Sequence, residues 1–268
     1  MTTTAPRRAA GLSQSDPATA AELLVEQGTA FATELRQLSW KDWSRPTDCP
    51  SWDVREVAAH VAGALEESAR LHVLLRHLLK AARRSAGTAQ VDAINDLQVR
   101  DRAHASGQAI AAEIARLAPR AARVRRRVPD VVRRRASGSD DLPPGATFGY
   151  IFDVIYIRDL WMHRVDVARA TGRSMLPTTG EREVVAQVVR DLDRFTSGGP
   201  AWVLELTGDG SYPGGGPWQL GDGEALATVR ADTVAYLRLL SGRAGEVDLD
   251  VTGDPSVREH ALAARVIF

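Results

Sequence analysis

The chain has 268 residues, 34 basic against 34 acidic, and a net charge of zero; 44% of residues are hydrophobic and 25% charged. That length suffices for one large domain or two ordinary ones, each with its own core, and the neutral balance gives nucleic acid or a membrane surface no general attraction. The lone cysteine, Cys49, excludes an internal disulfide, no apolar run reaches a membrane span, and the N-terminus lacks a signal-peptide core, so a cytoplasmic protein is expected.

Residues 1–16 read as a short disordered tail. Pro17 then suits a helix start, and Leu23, Leu24, Phe31, Leu35 and Leu38 recur at helical spacing, predicting a helix over 17–38. Trp40 to Pro50 is turn-rich. Ser51 is a candidate cap for a second helix running to about Lys80, with Asp53 and Glu56 in its first turn. Gly87 and Thr88 break the pattern, and a third helical stretch covers about 89–118 until Pro119 interrupts or ends it. The arginine-dense segment at 116–135 lacks interleaved aromatics and reads as a solvated helix face. After a loop at 140–145, a fourth helix is expected from about 147 to 171, ending at Gly172 and apolar around much of its circumference, hence central.

Beyond Pro177 the character changes. A helix is expected at 180–195, and AWVLELTGDGS alternates like a strand entering a turn. YPGGGPW reads as a loop or wide hairpin connection, 225–229 as a strand, 231–241 as a helix, VDLDVTGD as a strand, and the segment from Pro255 as helical. The expected fold class is α+β: a helical bundle over 17–176, followed by a smaller α+β domain over 177–268.

Asp159 and His163 lie four residues apart, so on the fourth helix they share a face with Phe152, Ile155, Tyr156, Val167 and Ala170. A carboxylate and an imidazole facing an apolar interior are costly unless paired or bound to something. They form either a metal half-site or a buried hydrogen bond without a metal. His60, at the edge of the second helix's apolar face, would complete a two-histidine, one-carboxylate set; alone it would read as a half-exposed histidine. Three protein ligands leave one coordination position open, the catalytic arrangement. Glu56 and Glu67 share the face of His60, and Asp166 lies three residues after His163, as a partner for an imidazole N–H or as a structural hydrogen-bonder. Cys49 is either an activated thiol near a helix N-terminus or, preferred, a small buried side chain. No phosphate loop, GxSxG elbow or HExxH pair is present.

PTDCPSWDVREVAAHVAG followed by a helix ending DLWMHRVDVARATG resembles the mycothiol-dependent maleylpyruvate isomerase family of the DinB-like metalloenzyme superfamily. AWVLELTGDGS, AYLRLLSGR and VTGD resemble the small sterol-carrier-like domain that follows the bundle in many members. The resemblance implies a DinB-like four-helix bundle holding zinc, or another divalent metal, through His60, Asp159 and His163. One departure stands out: the family carboxylate is more often Glu, and Asp159 is shorter by one methylene. The resemblance also implies mycothiol, an actinobacterial thiol, as cosubstrate. Its sulfur, activated at the open metal position, attacks an electrophilic small molecule, either adding to a cis double bond and leaving after rotation or remaining attached as in an S-transferase. Arg243 and Arg238 are candidate cations for an acidic substrate; their plain reading is surface arginine on an amphipathic helix. The expected species is a monomer or homodimer that binds neither nucleic acid nor membrane. A non-catalytic metal-binding or regulatory protein and a thiol-independent metal hydrolase are the competing functions.

Overall fold

The computed structural model describes residues 5–84, 90–138, 142–208, 215–243 and 245–268. The chain divides into two compact units, 16–178 and a second one that joins 1–15 to 179–268.

The first unit is helical. Helix α1 (Pro17–Arg36) starts where Asp16 accepts hydrogen bonds from the backbone N–H groups of Ala18 and Thr19, with proline in its first turn. Its buried stripe includes Leu24, Phe31 and Leu35, each stabilising the fold by roughly 1.5–3 kcal/mol through burial. Helix α2 (Val54–Ala69) is capped by Asp53 rather than by the expected Ser51. Asp53 accepts from the Glu56 N–H at 2.8 Å while Glu56 accepts from the Asp53 N–H at 3.0 Å, a reciprocal capping box. Ser51 is held instead in a turn closed by Trp52 N–H donating to Cys49 O.

The second helix does not run unbroken to Lys80. It stops at Arg70, which adopts an extended conformation, and α3 (Leu71–Arg84) begins anew. The break lets buried His77 place Nδ1 2.5 Å from Glu67 Oε1. In one straight helix, ten residues would separate them by about 15 Å. Gly87 and Thr88 lie outside the described residues. The third expected stretch is likewise two helices, α4 (Gln90–Arg100) and α5 (Gly107–Arg126), the latter capped by Ser106.

Pro119 neither ends nor interrupts α5. An internal proline forfeits a backbone hydrogen bond and costs about 3 kcal/mol. The loss is offset by the buried stripe Ile114, Leu117, Ala118, Ala121 and Ala122, packed against α1 and α2. Gly28 permits that packing, since a Cβ there would lie 2.5 Å from Ala118 Cβ. The arginine-dense segment is therefore not uniformly solvated: Arg125, and Arg133 in the short helix α6 (Asp130–Arg133), are buried.

The fourth expected helix comprises a single turn, α7 (Phe148–Tyr150), a π-helical segment at Ile151–Ile155, and α8 (Tyr156–Thr171), which ends at left-handed Gly172. Trp161 and Met162 are fully buried, and α8 packs against α1 and α2. Helices α1, α2, α5 and α8 thus form the bundle. No described helix is long and apolar enough to cross a membrane.

The second unit is a five-stranded sheet with helices. β1 (Arg7–Arg8), β2 (Trp202–Thr207), β3 (Gly215–Leu220), β4 (Ala227–Asp232) and β5 (Leu249–Gly253) lie in the order β1-β3-β2-β4-β5. β1 and β3 run parallel, as do β2 and β4; the other two pairs are antiparallel. Buried Trp202, Leu204 and Leu206 alternate along β2 as its sequence predicted. Helix α9 (Glu181–Phe195) packs on β3, and α10 (Thr233–Leu240) and α11 (Ser256–Ala263) pack on β4. YPGGGPW reaches into strand β3 at its C-terminal end; its first residues lie outside the described ones.

Part of the segment expected to be a tail is ordered. Arg7 and Arg8 pair with Trp218 and Gln219, and Ala9 is buried. Two residues of edge strand rest on backbone hydrogen bonds, which leave no periodicity in the sequence.

Candidate metal centre

His60 sits in the second turn of α2, while Asp159 and His163 sit one turn apart on α8. The widened π-helical turn at Ile151–Ile155 shifts the register with which α8 begins, and such insertions cluster at functional sites. The three side chains converge, with one donor atom of each within 4.8 Å of the others. Asp159 lies between the imidazoles: its Oδ2 is 3.3 Å from His60 Nε2 and its Oδ1 3.2 Å from His163 Nε2. The shorter carboxylate therefore reaches both rings. His60 is buried, not half-exposed, whereas Asp159 keeps 24% of its side chain in contact with solvent.

Each ring is held from behind. Gln98 Oε1 of α4 lies 2.7 Å from His60 Nδ1, and buried Asp166 Oδ2 lies 2.9 Å from His163 Nδ1. Acceptors at both Nδ1 atoms fix Nδ1–H tautomers and leave both Nε2 atoms for the centre. Gly63 makes the first contact possible: a Cβ there would sit 2.4 Å from Gln98 Cβ. Trp52 stacks on His60 at 4.9 Å, and His60 meets His163 edge-on at 5.0 Å.

Burial opposes charge on His163, yet Asp159, Asp166 and Cys49 outweigh it and hold the ring well above the ordinary histidine range. Burial likewise opposes the Asp159 carboxylate, but His163 and His60 hold it well below the usual carboxylate range. A proton thus bridges donors that would otherwise repel one another. With that proton displaced, the donor set fits a divalent ion: two imidazole nitrogens and a carboxylate, each ring oriented by a second hydrogen bond, with part of the Asp159 side chain exposed.

The other candidates fall into different roles. Glu56 caps α2 and Glu67 pairs with His77. Asp166 takes the part of imidazole partner. Cys49 is half-buried rather than enclosed among apolar groups, with Sγ 3.5 Å from Asp166 Oδ2. Cys49, His163 and Asp166 form a second grouping within 4.8 Å, but its imidazole and carboxylate already satisfy each other. Arg238 and Arg243 belong to the other unit. Arg238 is buried, unlike a surface arginine, and Arg243 Nη1 donates to Ser241 Oγ at 3.0 Å. Sequence reasoning missed Gln98, which stands on a separate helix with no local pattern to mark it.

Asp166→Asn removes the charge behind His163 while keeping its shape. Zinc affinity is expected to fall about 10–100-fold, measured by competition with a chromophoric chelator, with little change in the circular dichroism spectrum.

The helical bundle has the DinB-like fold, and the His, carboxylate and His that converge from two of its helices form a group that could hold a metal ion. The family profile "Mycothiol maleylpyruvate isomerase N-terminal domain" matches residues 24–168, more than half of the chain. The chain belongs to this mycothiol maleylpyruvate isomerase family and is accordingly an enzyme of a mycothiol-dependent, isomerase-type family. Among solved structures it is similar in fold to a mycothiol-dependent maleylpyruvate isomerase, with 13% identity and a TM-score of 0.54 over 91% of this chain and 99% of that one. A histidine-to-alanine mutant of a mycothiol-dependent maleylpyruvate isomerase matches with the same values. A search of curated proteins finds no match.

Proposed function

We propose that the protein uses a divalent metal, zinc by preference, held by His60, Asp159 and His163 to activate mycothiol for attack on an electrophilic small molecule. The convergence of both Nε2 atoms on Asp159, with each Nδ1 engaged from behind, carries this reading. An ion held there supplies a Lewis acid that lowers the pKa of a thiol at its open position.

The chain's own residues supply the geometry. Gln98 and Asp166 keep the imidazoles from turning, and the partly exposed face of Asp159 leaves the approach open. The reaction proposed is cis-trans isomerisation. The thiol sulfur bonds to one carbon of a cis double bond, and the π pair moves into the conjugated carbonyl. The remaining single bond rotates, the sulfur leaves with its bonding pair, and the trans double bond re-forms without net oxidation. In the S-transferase variant, the adduct keeps the sulfur and gains a proton. Arg238 and Arg243 enter this proposal as cations for an acidic substrate.

The test measures mycothiol-dependent conversion of maleylpyruvate, followed by chromatographic separation of the cis and trans acids. Conversion requiring both thiol and metal is expected, with Arg243→Ala raising KM. Turnover without any thiol would favour the hydrolase reading, and zinc-bound protein inert toward thiol and electrophiles would favour the non-catalytic one.

A further inference from the structure

Beside Asp159, the bundle holds a small cleft walled by Leu24, Val61 and Leu65 and carrying Arg125 and Tyr156. Arg125 is 4% exposed. Its guanidinium lies 4.0 Å over the Tyr156 ring. Its side-chain hydrogen bonds go to neutral acceptors, the Phe152 carbonyl at 3.4 Å and the Ser68 hydroxyl, and its Nε is buried without a partner.

No described carboxylate forms an ion pair with this cation. The acids that influence it are committed elsewhere: Asp153 to Arg133 at 2.6 Å and Glu67 to His77 at 2.5 Å. The charge of Arg133 adds repulsion. Burial pulls the Arg125 guanidinium down to about 10, which leaves it charged at neutral pH. A buried cation without a counter-ion is costly unless the site is built to receive an anion. The face of Tyr156 offsets part of that cost, and the free Nε–H is left for a ligand.

We propose that Arg125 is a substrate-binding residue that receives a carboxylate of the electrophile in this cleft. The identity of that electrophile as an unsaturated acid rests on the proposed function; the anion site rests on Arg125 itself. A guanidinium suits a carboxylate because its planar N–H groups match the two oxygens. Asp159 lines the same cleft, so a carboxylate held by Arg125 lies beside the proposed metal ligands.

The experiment is a calorimetric titration of the purified full chain with maleate, and separately with its neutral diamide, with metal content measured on the same samples. Wild type is expected to bind maleate at least tenfold more tightly than the diamide. Arg125→Gln loses that preference and at least tenfold in maleate affinity, with metal content and diamide binding unchanged. Arg125→Lys, which keeps the charge without the planar fork, falls between. Equal binding of maleate to wild type and Arg125→Gln, or wild type that does not distinguish acid from diamide, overturns the proposal. The wild-type comparison decides even where Arg125→Gln does not fold. A chain that holds no metal or consumes no mycothiol overturns the proposed function instead, and the maleate titration still reads Arg125 directly.

Discussion

His163→Ala is expected to abolish stoichiometric zinc binding. Structural zinc sites with four protein ligands have apparent binding free energies of about 10–16 kcal/mol, roughly 3 kcal/mol per ligand, so losing one ligand of three costs at least about a hundredfold in affinity. His60→Ala is expected to do the same, while Cys49→Ala retains the metal. Elemental analysis after dialysis against a weak chelator checks all three; near-equal zinc in wild type and His163→Ala would refute the site.

The pH dependence follows from the same geometry. His163 is raised, so its pairing stabilises the metal-free fold fully below its unfolded value near 6.5 and is lost as pH rises through the elevated folded value. Asp159 is lowered, so its contribution is present above its ordinary 3.8 and is lost as pH falls through the depressed folded value. Between these limits, an incoming ion must displace the bridging proton. Zinc affinity is therefore expected to rise with pH by about tenfold per unit for each proton released. Calorimetric titration in buffers of different ionisation enthalpy counts that proton.

The grouping of His60, Asp159 and His163 was legible because its signal was local. Asp159 and His163 advertise themselves as one helical turn, and His60 as a polar side chain bordering Val57 and Ala64 on an apolar face. What holds them was less legible. Gln98 reaches His60 only because α4 passes close to Gly63, a tertiary contact without sequence periodicity. The break at Arg70 carried no Gly or Pro signal and follows instead from the buried pair of His77 and Glu67. Arg125 was readable in principle. It falls seven residues after Ala118 and four after Ala121, on the buried stripe of α5. The expectation that Pro119 interrupts or ends the helix hid that continuity, so Arg125 passed as one more arginine in a basic run. The edge strand at Arg7–Arg8 gave no cue, since its partner lies some 200 residues away.

Arg164→Leu is expected to produce the largest loss of stability. Arg164 is fully buried beside His163 in sequence, and it ties α8 to α1. Nε donates to Glu34 Oε2 at 3.1 Å and Nη2 to Glu34 Oε1 at 2.6 Å; Nη2 also donates to the Leu176 carbonyl at 2.6 Å, and Nη1 reaches Gln27. Removing the guanidinium leaves the largely buried Glu34 carboxylate with the Leu176 N–H at 2.7 Å as its remaining backbone donor. Breaking a buried pair from one side costs about 3–5 kcal/mol. For a unit of this size, that is roughly a 10 °C drop in melting temperature. Replacing both partners, as in Glu34→Met with Arg164→Leu, removes the stranded charge and is expected to restore much of the loss. A double-mutant cycle by urea denaturation separates the two outcomes; additive losses would show that Arg164 and Glu34 do not act as a pair. Successive helical residues are turned by about 100°, so Arg164 anchors a face of α8 different from the one that presents His163. Loosening that anchor is expected to weaken zinc binding without touching a ligand, and the double replacement should recover metal affinity together with melting temperature.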